Sequence, residues 1–409
     1  MTCQAPGNST ESPSVGSKTM AMWRIPAELR RLISTVLTLC VTACGAASPA
    51  SPLLDAQTTT RIDGVFAGYS RPNSPGFAVG LIRDGHLFFE RGYGSANLDY
   101  ETPITIDTQF HLASLSKQFT ASAIALLVLK KKLSLNDPVA RYIPEASKYG
   151  SRLRVKHLVY MTSGLHEYFN TSRKDAEPWY TAYYFTRDEA IKSALAPSHL
   201  LFQPGTQYDY SNTNFMLLTL IVERVSGEPF AVFMKKRIFD PLEMHETEIN
   251  DDSTAIIRNR ATGYAPRDAR TISQLRGVGV FARPGPGWVM LARNSPHFGG
   301  SGVFSSLRDL AKWDENWYSG RLSGPAFTNA MNHRESFSFG AMDGMGLGFH
   351  SAYGHATINY SGADIDTSTF MERFPEQRLT IVCLSNDPLG NAESKADEVL
   401  SILHQAGKI

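Results

Sequence analysis

Ser114 and Lys117 stand three residues apart at the head of the apolar stretch Phe110 to Leu129. On a helix that spacing puts both side chains on one face of the first turn. The helix start adds free backbone N–H groups and partial positive charge where an oxyanion would form. Serine is a poor nucleophile until a base takes its proton, and a lysine with a lowered pKa can do so. Of the 14 lysines only Lys117 follows a serine at this interval, yet 38 serines in 409 residues make about one such pair expected by chance. The pair therefore depends on its company.

Three other stretches supply that company. Tyr208 to Phe215 places Tyr210, Ser211 and Asn212 just before an apolar helix, where Ser211 or Asn212 could equally serve as the helix cap. Leu158 to Leu165 ends a helix at Gly164. Tyr360-Ser361-Gly362-Ala363 lies on or beside a strand. The 11 histidines show no ligand spacing with an acidic partner, so neither a metal nor a cofactor is expected. His166-Glu167 could line the cleft or lie in a solvated loop, the commoner case, and the aromatic cluster Trp179 to Phe185 reads as packing between helices or a pocket wall.

Over the whole chain, 409 residues exceed one ordinary core. Forty basic against 39 acidic residues give a net charge of +1, which removes any broad electrostatic case for nucleic acid. A small neutral or polar substrate and a monomer are expected instead. Three of the four cysteines, Cys3, Cys40 and Cys44, fall before residue 45, so no disulfide framework can be built in the body; Cys383 sits in an apolar run as a small hydrophobe. Arg24, Arg30 and Arg31 precede an apolar run of 13 residues, Leu32 to Cys44, followed by small residues. That is a secretory signal pattern, and the run falls short of the ~20 residues a membrane span needs. Val41-Thr42-Ala43-Cys44 resembles a bacterial lipobox, which would make Cys44 a lipidation site; cleavage between Ala43 and Ala50 is the alternative. Either implies an exported, periplasmic or membrane-anchored protein.

The elements that must position the candidate residues follow from periodicity and punctuation. Residues 1–55 are set aside as signal and linker. A helix over Thr58 to Tyr69 precedes two strands, Gly76 to Ile82 and Leu87 to Tyr93, joined at Asp84-Gly85, a strong hairpin signal. The stretch from Ser114 to Leu129 is apolar on nearly every face, which predicts a central buried helix. Residues 133–292 read as a mostly helical insertion, with helices at Val155 to Met161 and Asn212 to Val225 and loops from Asn170 to Arg187 and from Asp251 to Arg293. A helix from Ser306 to Tyr318, strands at His355 to Tyr360, Thr367 to Phe374 and Arg378 to Ser385, and a helix from Asn391 to Gln405 complete the body. The expected fold class is α+β: an antiparallel sheet flanked by helices, built from 56–132 and 293–409, with the helical subdomain 133–292 inserted.

The serine-lysine pair, Thr162 to Leu165, Tyr210-Ser211-Asn212, Val225-Ser226-Gly227, Gly300-Ser301-Gly302 and Gly346 to Phe349 recur in one order and spacing. Together they resemble the serine β-lactamase and penicillin-binding protein superfamily, in its class C and DD-peptidase-like branch, from about Gly76 to the C-terminus. The resemblance implies the β-lactamase/transpeptidase-like fold, with Ser114 as acylated nucleophile and Lys117 as its proton acceptor. It makes Tyr210 a second acid or base, its phenol drawn down by the nearby cation, and Asn212 a substrate-binding residue. The backbone N–H groups of Ser114 and Ala363 would form the oxyanion hole. Tyr360, Ser361 and Gly362 occupy the third motif, where many relatives carry Lys-Thr-Gly or His-x-Gly. Loss of that cation weakens recognition of a substrate carboxylate. It favours an esterase, amidase or D-aminoacyl hydrolase over an efficient β-lactamase or D-alanyl-D-alanine carboxypeptidase, with His355, His297 and Arg293 as candidate substitutes for the charge. A non-catalytic sensor is the reading of another class.

Overall fold

Asp84 and Gly85 hold φ of 53° and 78°, the left-handed pair that a two-residue hairpin turn requires. They join β1 (Phe77–Arg83) to β2 (His86–Tyr93) in antiparallel register. The computed structural model describes residues 54–168, 186–277, 279–293 and 298–409. The signal-like segment with Cys44, the Trp179 to Phe185 cluster and His297 lie outside the described residues.

Helix α1 (Ala56–Val65) precedes the hairpin, its first turn capped by Asp55, which accepts from the Thr58 N–H at 2.7 Å. After the hairpin come α2 (Lys117–Leu129), α3 (Asn212–Ser226), α4 (Ala269–Arg276) and α5 (Leu307–Ser319). Strands β3 (Gly348–Ala352), β4 (His355–Asp364), β5 (Thr367–Phe374) and β6 (Leu379–Ser385) follow, and α6 (Ala392–Gln405) ends the described chain. The order across the sheet is β3-β4-β5-β6-β1-β2, antiparallel at every junction. The chain's first two strands thus add to the last four, a long-range closure between Phe77 and Ser385 that no local pattern shows.

Helices cover both faces. On one face Phe66, Phe77, Phe370, Ile381 and Leu403 pack α1 and α6 against the sheet; on the other Phe119, Phe215, Leu310 and Trp313 pack α2, α3 and α5. β5 is buried along its whole length, as a central strand covered on both faces must be. α2 is buried on nearly all sides, in line with its composition. A buried ion pair, Arg373 Nε to Asp314 Oδ1 at 2.6 Å, joined by the Thr380 hydroxyl at 2.8 Å, pins α5 to the sheet.

The stretch 251–293, expected as loop, instead contains α4 and a strand pair, Gly263–Pro266 with Trp288–Leu291. Each of those strands has four residues, and they meet across more than twenty, so periodicity carried no signal.

Candidate active site

The turn that presents Ser114 is tighter than the helix start expected. Ala113 has φ of 48°, a conformation that L-residues avoid. Ala113–Ser116 is a 3-10 turn, and α2 begins only at Lys117. Val303 holds the turn from the side: its N–H donates to Ser116 Oγ at 3.1 Å and its carbonyl accepts from Leu112 N–H at 2.9 Å. Beneath it lies β4 at Gly362. A Cβ there would come within 2.3 Å of the Leu112 carbonyl oxygen and 2.4 Å of Thr369 Oγ1. Only glycine lets the strand come this close, which accounts for its place in the third motif.

Four side chains converge. Ser114 Oγ is 2.6 Å from the Tyr210 hydroxyl and 3.0 Å from Lys117 Nζ. Lys117 Nζ also donates to Asn212 Oδ1 at 2.9 Å and to the Gly300 carbonyl at 2.6 Å. Lys117 is fully buried, and burial draws its pKa down from 10.5 to about 7, against the opposing pull of Glu167 and Asp364. A neutral amine has two N–H groups and one lone pair. Two groups that only accept, the Asn212 carbonyl oxygen and the Gly300 carbonyl, take the N–H groups and leave the lone pair for Ser114.

Tyr210 differs from expectation. Its phenol is pushed up to about 12, first by burial, with the Ser114 hydrogen bond acting the other way. Lys117 Nζ lies 4.8 Å from the ring centroid, but an amine that titrates near neutrality is a weak source of positive field. Tyr210 therefore holds its proton, 41% exposed toward the cleft.

Asn212 opens α3 but does not cap it, and Ser211 sits at the cap position without a side-chain bond there. The Asn212 N–H donates to Glu167 Oε2 at 2.5 Å. Glu167, expected in a solvated loop, thus satisfies the helix end and bears on Lys117. No local pattern links it to Asn212, because the pairing joins residues from two segments. The Thr162 to Leu165 stretch also supports this helix. Ser163 Oγ donates to Asn214 Oδ1 at 2.6 Å, and Tyr168 N–H to Thr213 Oγ1 at 2.8 Å. These bonds seat α3 and with it Asn212.

Ser114, Tyr210, Asn212 and Ala363 line one cavity of about 490 Å³, walled by Ala265, Leu275, Ile365, Pro388 and Leu389. Tyr360 does not line it. Its ring faces a neighbouring cavity of about 290 Å³ with Tyr208, Met161 and Asp343, and burial keeps its phenol protonated. Ser361 is exposed and Gly362 buried in the strand. Of the candidate substitutes for the missing cation, Arg293 reaches the main cavity, but its Nη1 is 2.6 Å from Asp364 Oδ2, both side chains being buried. His355 is engaged by Gln377 at 2.7 Å and is absent from the lining. His111, Asp364 and Asp366 bring potential ligand atoms within 4.8 Å of one another. The Arg293 guanidinium on Asp364 and the His111 Nδ1 contact to Asp366 at 2.9 Å show these groups serving one another.

The family profile named Beta-lactamase matches residues 62–406. The chain belongs to the Beta-lactamase family. It is 26% identical over 330 residues to a D-aminopeptidase of Brucella anthropi, covering 78% of this chain and 57% of that protein. It is 27% identical over 312 residues to a penicillin-binding protein of Bacillus subtilis, covering 74% and 66%. The chain thus spans about three fifths of the length of these relatives. Among solved structures, the octameric penicillin-binding protein homologue from Pyrococcus abyssi superposes with a TM-score of 0.69 at 23% identity, over 86% of this chain and 77% of that one. The D-amino acid amidase of Ochrobactrum anthropi SV3 does so with a TM-score of 0.68 at 21% identity, over 86% and 100%. The family fold, a helix-flanked antiparallel sheet, is the one described above.

Proposed function

We propose that this family member is an exported serine hydrolase that cleaves small amides, peptides or esters through an acyl-enzyme on Ser114. One observation carries the reading: the fully buried Lys117 has both N–H groups committed and its nitrogen 3.0 Å from Ser114 Oγ. The Ser114 proton passes to Lys117 as Oγ attacks the carbonyl carbon. The backbone N–H groups of Ser114 and Ala363, both residues lining the cavity, would take the developing oxyanion, each such donor being worth roughly 3 kcal/mol. Tyr210, protonated and 2.6 Å from Oγ, relays a proton to the leaving group, and water then releases the acyl chain. Asn212 holds Lys117 from one side while its amide borders the cavity.

The walls favour an uncharged acyl group with an apolar side chain against Leu275, Ile365 and Leu389. The D-aminopeptidase relatives support a D-aminoacyl amide or peptide as that group's source. A β-lactam or D-alanyl peptide carboxylate would meet Arg293 already paired with Asp364, and no lysine of the third motif, since Tyr360 holds that position and faces the neighbouring cavity. The signal-like N-terminus supports export, with Cys44 as lipidation site. Mass spectrometry of the mature N-terminus distinguishes a lipidated Cys44 from cleavage further on.

The deciding experiment is twofold. A fluorophosphonate should label the wild-type protein once and Ser114→Ala not at all; intact labelling of that variant refutes the nucleophile. A hydrolysis panel of a D-amino-acid amide, a short p-nitrophenyl ester, a D-Ala-D-Ala peptide and a chromogenic cephalosporin should rank the first two highest. Preference for the cephalosporin refutes the role given to Tyr360.

A further inference from the structure

A second hydrogen-bonded row runs beside the nucleophile and has no part in the steps above. His111 Nδ1 is 2.9 Å from Asp366 Oδ1, and His111 Nε2 is 2.7 Å from Ser301 Oγ. All three side chains are buried, and the imidazole stacks on Phe304 with 5.1 Å between ring centroids. The Asp366 carboxylate accepts from Nδ1–H, which leaves Nε2 to accept the Ser301 hydroxyl.

What this row holds follows from the chain on either side of Ser301. Gly299 and Gly302 have φ of 70° and 92°, left-handed turns that glycine makes without steric cost, and between them the Gly300 N–H donates to the Phe298 carbonyl at 2.7 Å while the Gly302 carbonyl accepts from the Asn250 N–H at 2.8 Å. The outer edges are tied: the Gly299 carbonyl accepts from Thr120 Oγ1 at 2.7 Å, and Val303 is bonded to Leu112 and Ser116. Between them lies the Gly300 carbonyl, which accepts from Lys117 Nζ at 2.6 Å. Ser301 has the one side chain in the run Gly299 to Gly302, and that side chain is bonded to His111.

We propose that Asp366, His111 and Ser301 form a positioning brace that holds the Gly300 carbonyl on the Lys117 amine and so sets the proton affinity of the base. The inference rests on Lys117 being the base for Ser114. A carbonyl at hydrogen-bond distance favours the ammonium form, so slackening the brace lowers the lysine's proton affinity and misaligns its lone pair. The other groups facing Lys117 are Glu167, Asp364, Tyr210, Asn212 and Phe215. Those facing His111 are Asp364, with Arg293 behind it, Asp366, Ser301 and Phe304. Ser301→Ala and the isosteric Asp366→Asn leave all the remaining charges around Lys117 in place.

The test is the pH profile of Ser114 acylation by a p-nitrophenyl ester in the full-length protein, with the pH dependence of unfolding as a readout that needs no substrate. Ser301→Ala should cut the acylation rate about ten- to hundredfold with KM unchanged and move the acid limb to lower pH by about half a unit, a threefold change in the apparent ionisation constant. The onset of the rise in stability with pH should move down with it. Asp366→Asn should do the same to a smaller degree, and it keeps the test alive if Ser301→Ala does not fold. Variants that lose stability yet keep the wild-type acid limb and unfolding onset, or shift them upward, overturn the brace and leave the row a structural tie. Absence of labelling in the wild-type protein would count against the hydrolase reading, while the unfolding onset would still decide the brace.

Discussion

Replacing Lys117 by methionine should abolish acylation and change stability with a sign that depends on pH. An amine drawn from 10.5 to about 7 by burial favours its neutral form by about 5 kcal/mol relative to the unfolded chain. The sign follows from proton counting. Between pH 7 and pH 10.5 the unfolded lysine is protonated and the folded one is not, so the unfolded state binds more protons and stability rises with pH. Below about pH 7 the burial cost is present in full. Methionine removes that cost but leaves Asn212 Oδ1 and the Gly300 carbonyl without the Lys117 donor, a loss of ~1–3 kcal/mol each. The variant should therefore be equal to or more stable than the wild type by up to ~3 kcal/mol at about pH 6, and less stable by a few kcal/mol at about pH 10. Chemical denaturation at closely spaced pH values measures the difference. The unpaired acceptors contribute a constant, so the slope across the window, about 1.4 kcal/mol per pH unit for one group, isolates the lysine. A difference that stays flat from about pH 6 to pH 10 refutes a buried amine titrating near neutrality.

Other outcomes follow from the same geometry. Gly362→Ala, which would drive a methyl group into the Leu112 carbonyl, should lower Ser114 labelling by a fluorophosphonate about a hundredfold or more through displacement of the nucleophile turn. Glu167→Gln keeps an acceptor for the Asn212 N–H while removing a charge that favours the ammonium form of Lys117; the acid limb of the acylation rate should move to lower pH, and an unmoved limb would separate Glu167 from the base. Asp314→Ala leaves buried Arg373 without its carboxylate partner at 2.6 Å and should cost roughly 3–5 kcal/mol in denaturant unfolding, with little change in KM.

How much of this was legible beforehand varied with the range of the interaction. The hairpin at Asp84-Gly85 and strand β5 were readable because turn chemistry and a short strand-like run set off by Pro375-Glu376-Gln377 are local signals. α4 and the short strand pair beside it were not, since pairs so brief and so far apart leave no periodic trace. Ser114, Lys117, Tyr210 and Asn212 were found by motif, as was Ser301 within Gly300-Ser301-Gly302, but the bonds of Glu167 to Asn212 and of Asp366, His111 and Ser301 to one another were not, because the partners come from separate segments.

Residue types and order alone determined that a serine, a lysine and a tyrosine were available for acyl transfer, and that the third motif lacks its cation. Only the tertiary structure decided their protonation. Burial, which depends on α2 and α3 closing over the amine, lowers Lys117 and raises Tyr210, reversing the shift expected for the phenol. In the proposed mechanism burial, more than charge read from sequence, would make Lys117 the base and leave Tyr210 the acid.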